Sequence, residues 1–208
     1  MKPLYFDCET APLPETELLA SMPVFEPAAN LKDPAKIEAN IAEKRQRWLA
    51  EAALSAVTGQ ILCIGTLRGD TFSLWKRESE EELIFEFLAF LQTEIQSGTR
   101  IVGFCCKSFD LPYLVRRAWR YGIKVPFCLW EGRYFTGAIV DLAETWACAG
   151  RDPRDKVSLD TLSKFLGVGA KTGNGADFAR LWVENVEQAV AYLRNDLVLT
   201  QLCHERMQ

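Results

Sequence analysis

The chain has 208 residues, of which 49% are hydrophobic and 25% charged, so it reads as soluble and globular, with length for one domain and a substantial core. Its formal net charge of −4 and pI of about 5.2 argue against a protein that coats nucleic acid through a broad basic surface, but not against an enzyme that holds a phosphodiester through bound metal ions. No apolar run is long enough to span a bilayer, and Met1-Lys2-Pro3 leads into a strand without a secretory signal, so no membrane partner and a cytoplasmic location are expected.

The first element is the apolar run Leu4-Tyr5-Phe6-Asp7-Cys8-Glu9-Thr10. In a strand, side chains alternate with period two, which puts Asp7 and Glu9 on one side and Leu4, Phe6 and Cys8 on the other. Two desolvated carboxylates on one side must be protonated, paired or bound to a cation, so a divalent-metal site is the first expectation; a solvated edge strand is the alternative. A polar, proline-punctuated stretch then runs from Ala11 to Asn30. Asp33-Pro34 provides an N-cap and a first-turn proline for a long helix with an apolar stripe of Ile37, Ile41, Trp48, Leu49 and Ala52. Residues 11–58 therefore read as a helical insertion into a single domain spanning 1–208.

Gln60–Gly65 and Thr71–Trp75 read as two strands joined through Arg68-Gly69-Asp70. Ser79 with Glu82 forms a capping box for a helix reaching about Ile95. Arg100–Phe104 is a short buried strand, and Phe109-Asp110-Leu111-Pro112 opens a helix that ends near Gly122. Asp110 is thus an acid at a strand-to-helix junction, where open α/β sheets collect ligands, although helix capping would use the same residue type. Arg116, Arg117, Arg120 and Lys124 follow as a local positive stripe or a solvated helix face. Ala138–Leu142 is another strand, with Asp141 read as structural. Ser158–Leu166 is a helix closed by Gly167, and Val168–Ala176 is a glycine-rich loop. Lys171-Thr172-Gly173 in that loop lacks the spacing of a phosphate loop.

The last helix starts at an Asn185 cap with Gln188 in the reciprocal position and runs to about Arg206. Tyr192 and Asp196, four apart, share one face. Asp196 falls among Ala189, Leu193, Leu199, Thr200 and Cys203, beside a core stripe of Val186, Val190 and Leu197, and needs a partner there. Antiparallel strands followed by strands alternating with helices indicate a mixed α/β sheet. Cysteines 8, 63, 105, 106, 128, 148 and 203 lack zinc-site spacing and are expected to be reduced and mostly buried. The only histidine, His204, follows Asp196 and is read as an ordinary residue of the last helix.

Together, Phe6-Asp7-Cys8-Glu9-Thr10, Phe109-Asp110-Leu111-Pro112-Tyr113-Leu114 and Tyr192-x-x-x-Asp196 resemble the three exonuclease motifs of the DnaQ-like superfamily. The tyrosine in the third motif is that of the DEDDy branch, and the likeness is nearest to predicted 3′-5′ exonucleases related to the proofreading domain of family B DNA polymerases. The resemblance implies a ribonuclease H-like fold, a mixed sheet of three antiparallel strands followed by parallel strands with flanking helices. It implies a metal-dependent exonuclease acting on single-stranded nucleic acid with a free 3′ end, DNA favoured, with a DNA polymerase or replication and repair proteins as further partners. A non-catalytic binding module and an RNA-trimming exoribonuclease are the alternatives.

The same resemblance implies two divalent cations, Mg²⁺ or Mn²⁺, bound by Asp7, Glu9, Asp110 and Asp196 roughly 3.5 to 4 Å apart. Asp7, Glu9 and Asp196 would hold the ion that activates water, Asp7 bridging to a second ion supported by Asp110. Tyr192 would orient the nucleophilic water. Thr10 and Phe109 would flank the terminal nucleotide, Phe109 by stacking, and Lys107 is a candidate phosphate contact. Cys105 stands where the second motif usually carries an asparagine, which bears on how the substrate strand is gripped.

Overall fold

Strand β1 (Leu4–Pro12) carries the first two acids into the middle of a five-stranded sheet. The computed structural model describes residues 2–148 and 156–208, in two compact units: the chain up to Glu9 with Ile61–Gln208, and Thr10–Gln60. In the first unit the sheet order is β3 (Thr71–Trp75), β2 (Gly59–Arg68), β1, β4 (Ile101–Gly103) and β7 (Ile139–Asp141). β4 runs parallel to β1, with Leu4 opposite Ile101, and parallel to β7, with Gly103 opposite Asp141. β2 and β3 are antiparallel, and the turn between them contains Gly69 at φ 58°, a left-handed conformation that glycine adopts freely. Central strands covered on both faces read as nearly continuous apolar runs. Leu4, Tyr5, Phe6 and Cys8 are accordingly all buried, and the side shared by Asp7 and Glu9 is not open water: Glu9 is 8% exposed.

Helix α3 (Glu80–Gln96) starts where expected, with the Ser79 hydroxyl accepting from the Glu82 amide, and it buries Leu83, Ile84, Phe87, Leu88 and Leu91. Helix α4 (Asp110–Arg120) follows β4. Arg117 does not join the exposed basic stripe anticipated for this helix. It is 1% exposed, and its guanidinium meets the Glu80 carboxylate at 2.5 Å. That carboxylate also accepts from the Ile61 amide and the Tyr121 hydroxyl, tying α3, α4 and β2 together. The long C-terminal helix α8 (Val186–Arg206) comes close to the sheet because Gly65 has no side chain: a Cβ there would sit 2.8 Å from Leu193 and Leu197. Asp196 lies between those two leucines in sequence, so this close approach sets how near the third acidic segment comes to β1. Val186, expected in the core stripe, is 43% exposed.

Among the described residues, five short elements were not anticipated from the sequence: α1 (Glu15–Ala20), the strands β5 (Trp130–Glu131) and β6 (Tyr134–Phe135), α5 (Leu142–Trp146) and α7 (Phe178–Glu184). They are too short to develop a clear hydrophobic period. In the second unit, α2 (Pro34–Ala50) is capped by Asp33, which accepts from the Ala35 amide. Its apolar stripe contains no buried residue, and Ala52 belongs to a 3₁₀ turn beyond the helix. The small core of this unit is Leu13, Leu18 and Ala52, with Trp48 and Leu49 against it. Among the described residues no helix is long and apolar enough to cross a membrane.

Replacing Arg117 by methionine leaves the Glu80 charge buried without its partner. Arg117→Met is expected to lower unfolding stability in denaturant by about 3–5 kcal/mol; a change under about 1 kcal/mol would show that the pair does not anchor α3 to α4.

Candidate metal centre

The parallel pairing of β1 with β4, and the seating of α8 over Gly65, bring acids from distant parts of the sequence together. Asp7, Glu9 and Asp196 each offer a carboxylate oxygen, and these oxygens all lie within 4.8 Å of one another. Asp110, the first residue of α4, is 3% exposed, and its Oδ1 accepts the amide of Cys8, the residue between Asp7 and Glu9. Among the described residues, Asp7, Glu9 and Asp196 form the metal-competent group, and Asp110 stands beside them without joining that tight trio.

Asp196 is 4% exposed and its two oxygens differ. Oδ2 receives the Lys171 ammonium at 2.5 Å, whereas Oδ1 is buried without a hydrogen-bond partner. A buried, unpartnered carboxylate oxygen is costly unless a cation completes it. Together with hard oxygen donors within 4.8 Å, this fits a hard divalent cation such as Mg²⁺ or Mn²⁺.

Burial raises the affinity of these carboxyls for protons. Asp7 is held well above the ordinary carboxylate range by desolvation, then by the neighbouring charges of Asp110, Glu9 and Asp196. Glu9 is raised by desolvation and by Asp196. Asp110 is pushed up to about 7 by burial, with the Cys8 amide and its own amide pulling the other way. Asp196 is raised by burial and partly restored by Lys171. Tyr192, one turn before Asp196, is held far above its ordinary value by burial and by Asp196 and Glu9, so its phenol stays protonated.

Lys171, which the sequence places only in a glycine-rich loop, is important to this geometry. Its ammonium reaches Asp196 and lies 5.0 Å from the centre of the Tyr192 ring, while its amide donates to Asp160 and the next amide donates to Asn195. Gly173 follows where a Cβ would crowd the Tyr192 ring at 3.1 Å, so the glycines let this loop lie over the aromatic. Asp141, expected from the sequence to be structural, accepts through its carboxylate from the amides of Cys105, Lys107 and Ala143, each at 2.9 Å. It thereby clamps the loop leading from β4 to Asp110. In that loop Cys105 sits at φ 58°, a conformation in which asparagine is among the most tolerant side-chain-bearing residues and cysteine is strained.

Phe109 is the half-buried N-cap of α4, its ring 5.6 Å from Tyr113. Lys107, expected to be free for a phosphate, pairs with Glu144 at 2.9 Å. Thr10 belongs to the second unit, where its hydroxyl donates to the Ala53 carbonyl. His204 lies outside the acidic group, buried and bonded to the Tyr5 hydroxyl and to Gln208.

Residues 44–208 match the family model described as a predicted 3′-5′ exonuclease related to the exonuclease domain of PolB. The fold is similar to the family B DNA polymerase from the hyperthermophilic archaeon Pyrobaculum calidifontis, with a TM-score of 0.62 and 15% identity. That alignment covers 100% of this chain and 24% of the polymerase, so the chain spans about a quarter of its length. The likeness establishes the ribonuclease H-like architecture of a PolB exonuclease: a mixed sheet flanked by helices. No curated protein matches the chain.

Because Asp110 binds its proton more tightly when folded than when unfolded, its contribution to metal-free stability is complete below about pH 4 and is lost as pH rises through about 7, and the raised carboxyls of Asp7 and Glu9 act in the same direction. A cation binds the deprotonated oxygens and so relieves a penalty present only at the higher pH. The rise in Tm on adding Mn²⁺ is therefore expected to be larger at pH 8 than at pH 5.5 by differential scanning fluorimetry; an equal or reversed shift would place the ion elsewhere.

Proposed function

Because the chain belongs to the family of predicted 3′-5′ exonucleases related to the exonuclease domain of PolB, we propose that it removes nucleotides from the 3′ end of single-stranded nucleic acid, DNA in preference to RNA. The observation carrying this reading is the convergence of Asp7, Glu9 and Asp196 oxygens within 4.8 Å, with Asp196 Oδ1 buried and unpartnered. Asp7, Glu9 and Asp196 would hold one divalent cation, Mg²⁺ or Mn²⁺, and Asp7 with Asp110 would support a second. Bound there, such cations supply the positive charge that acidifies water and stabilises a departing 3′ oxygen.

The protein's own groups do the rest. Tyr192 keeps its phenolic proton, so it acts by hydrogen bonding and orients water instead of accepting the proton. Lys171 holds Asp196 through Oδ2 and leaves the buried Oδ1 for a divalent ion. Asp141 fixes the loop that delivers Asp110, and Phe109 offers a half-buried ring at the start of the same helix for stacking against a terminal base. DNA preference rests on the PolB relationship in the family description.

A labelled single-stranded DNA oligonucleotide with a free 3′ end is expected to shorten stepwise with Mn²⁺ or Mg²⁺, and a 3′-blocked strand to survive. Asp7→Ala is expected to lower the rate at least about 10³-fold, and Tyr192→Phe to lower kcat about 10²-fold while leaving Mn²⁺ affinity within a factor of about three. Wild-type protein that cleaves neither DNA nor RNA with either ion would instead support a binding module.

A further inference from the structure

Helix α4 begins at Asp110 and is 11 residues long, about 16 Å at 1.5 Å per residue. Its buried residues are Asp110, Leu111, Tyr113, Leu114, Val115, Arg117 and Ala118. What remains is one stripe at helical spacing, the half-buried Pro112 and the exposed Arg116, Trp119 and Arg120, in line with the half-buried Phe109 at the Asp110 end. Trp119 is 63% exposed, an unusual placement for so large an apolar ring. Beyond the helix the exposed character continues with Lys124 and with Phe127, which is 89% exposed.

Charge distinguishes this face from the rest of the protein. The chain as a whole is at −4, yet between Val115 and Phe135 there are five basic residues and a single acid, Glu131. Glu80 takes up the charge of Arg117, but Arg116 and Lys124 make no ion pair among the described residues. Exposed cations interleaved with exposed aromatic rings are the composition that single-stranded nucleic acid uses, with phosphates on the cations and bases on the rings. An acidic protein partner would use the charges but has no comparable need for the rings.

We infer that the exposed face of α4, formed by Arg116, Trp119 and Arg120 and continued by Lys124 and Phe127, is a docking track for the unpaired strand whose 3′ end enters the acidic centre. This inference rests on the exonuclease reading for the direction in which the strand runs. At about 3.4 Å per phosphate in a stacked strand, the helix would accommodate about five nucleotides upstream of the terminal one. The track gives an acidic protein a local grip on a polyanion without a globally basic surface.

The test separates charge from stacking. Fluorescence anisotropy of a 5′-labelled dT10 is titrated with protein in EDTA, where hydrolysis is off, across a range of salt concentrations. Arg116→Gln is expected to reduce the slope of log K against log salt by about 0.7, the loss of one phosphate contact. Trp119→Ala is expected to weaken binding about tenfold with the slope unchanged. Both side chains are exposed, and a Tm within about 2 °C of wild type checks that the fold is retained. An affinity that neither substitution alters, or a wild-type protein that does not bind dT10, overturns the track and leaves this face to solvent or a protein partner. Hydrolysis with Mn²⁺ is measured separately. Binding through Arg116 and Trp119 without any cleavage would refute the exonuclease reading alone, and cleavage with binding insensitive to both variants would refute the track alone. With hydrolysis present, the ratio of KM for dT10 to KM for a mononucleotide aryl ester is expected to rise about tenfold in Trp119→Ala.

Discussion

Carboxylates repel one another when water is removed, and this protein collects Asp7, Glu9, Asp110 and Asp196 from three distant parts of its chain into a largely buried group. Each would be comfortable alone on a surface. Together they are raised in pKa, and the Lys171 ammonium on Asp196 offsets only part of the repulsion. The fold has to hold this arrangement against its own electrostatics, and much of its local structure serves that end. Parallel pairing fixes β1 beside β4, Gly65 lets α8 approach, and the Asp110 carboxylate bonds the backbone between Asp7 and Glu9.

The loop before Asp110 illustrates how the restraint is built. A non-glycine residue in the left-handed region is strained, and Cys105 occupies that region. Asp141 holds the amides on either side of Cys106, those of Cys105 and Lys107, from the neighbouring parallel strand. Gly103 is needed at the same bend, since a Cβ there would approach Cys106 Cβ at 2.5 Å. An asparagine at position 105 would adopt the required backbone more readily than the cysteine. Strain and its restraint thus meet next to the residue proposed to support the second cation.

The sheet, the long helices and the acidic residues could be read from the sequence because each follows from a strong local rule. Asp7 and Glu9 share a strand face by period two, Tyr192 and Asp196 a helix face by period four, and Ser79, Asn185 and Gly167 mark helix ends by capping chemistry. What escaped depends on long-range contact. Nothing within α4 shows that Arg117 turns inward to Glu80 while Arg116 stays outside, because the partner lies 37 residues away. Lys171 sits among glycines with no period of its own, and only the course of that loop over Tyr192 brings it to Asp196. The pairing of Lys107 with Glu144, likewise 37 residues away, has no local signal.

Crystals soaked in Mn²⁺ and measured for anomalous scattering test the central claim most directly. The account predicts a manganese peak bonded to oxygens of Asp7, Glu9 and Asp196. Manganese found only at other sites would contradict it.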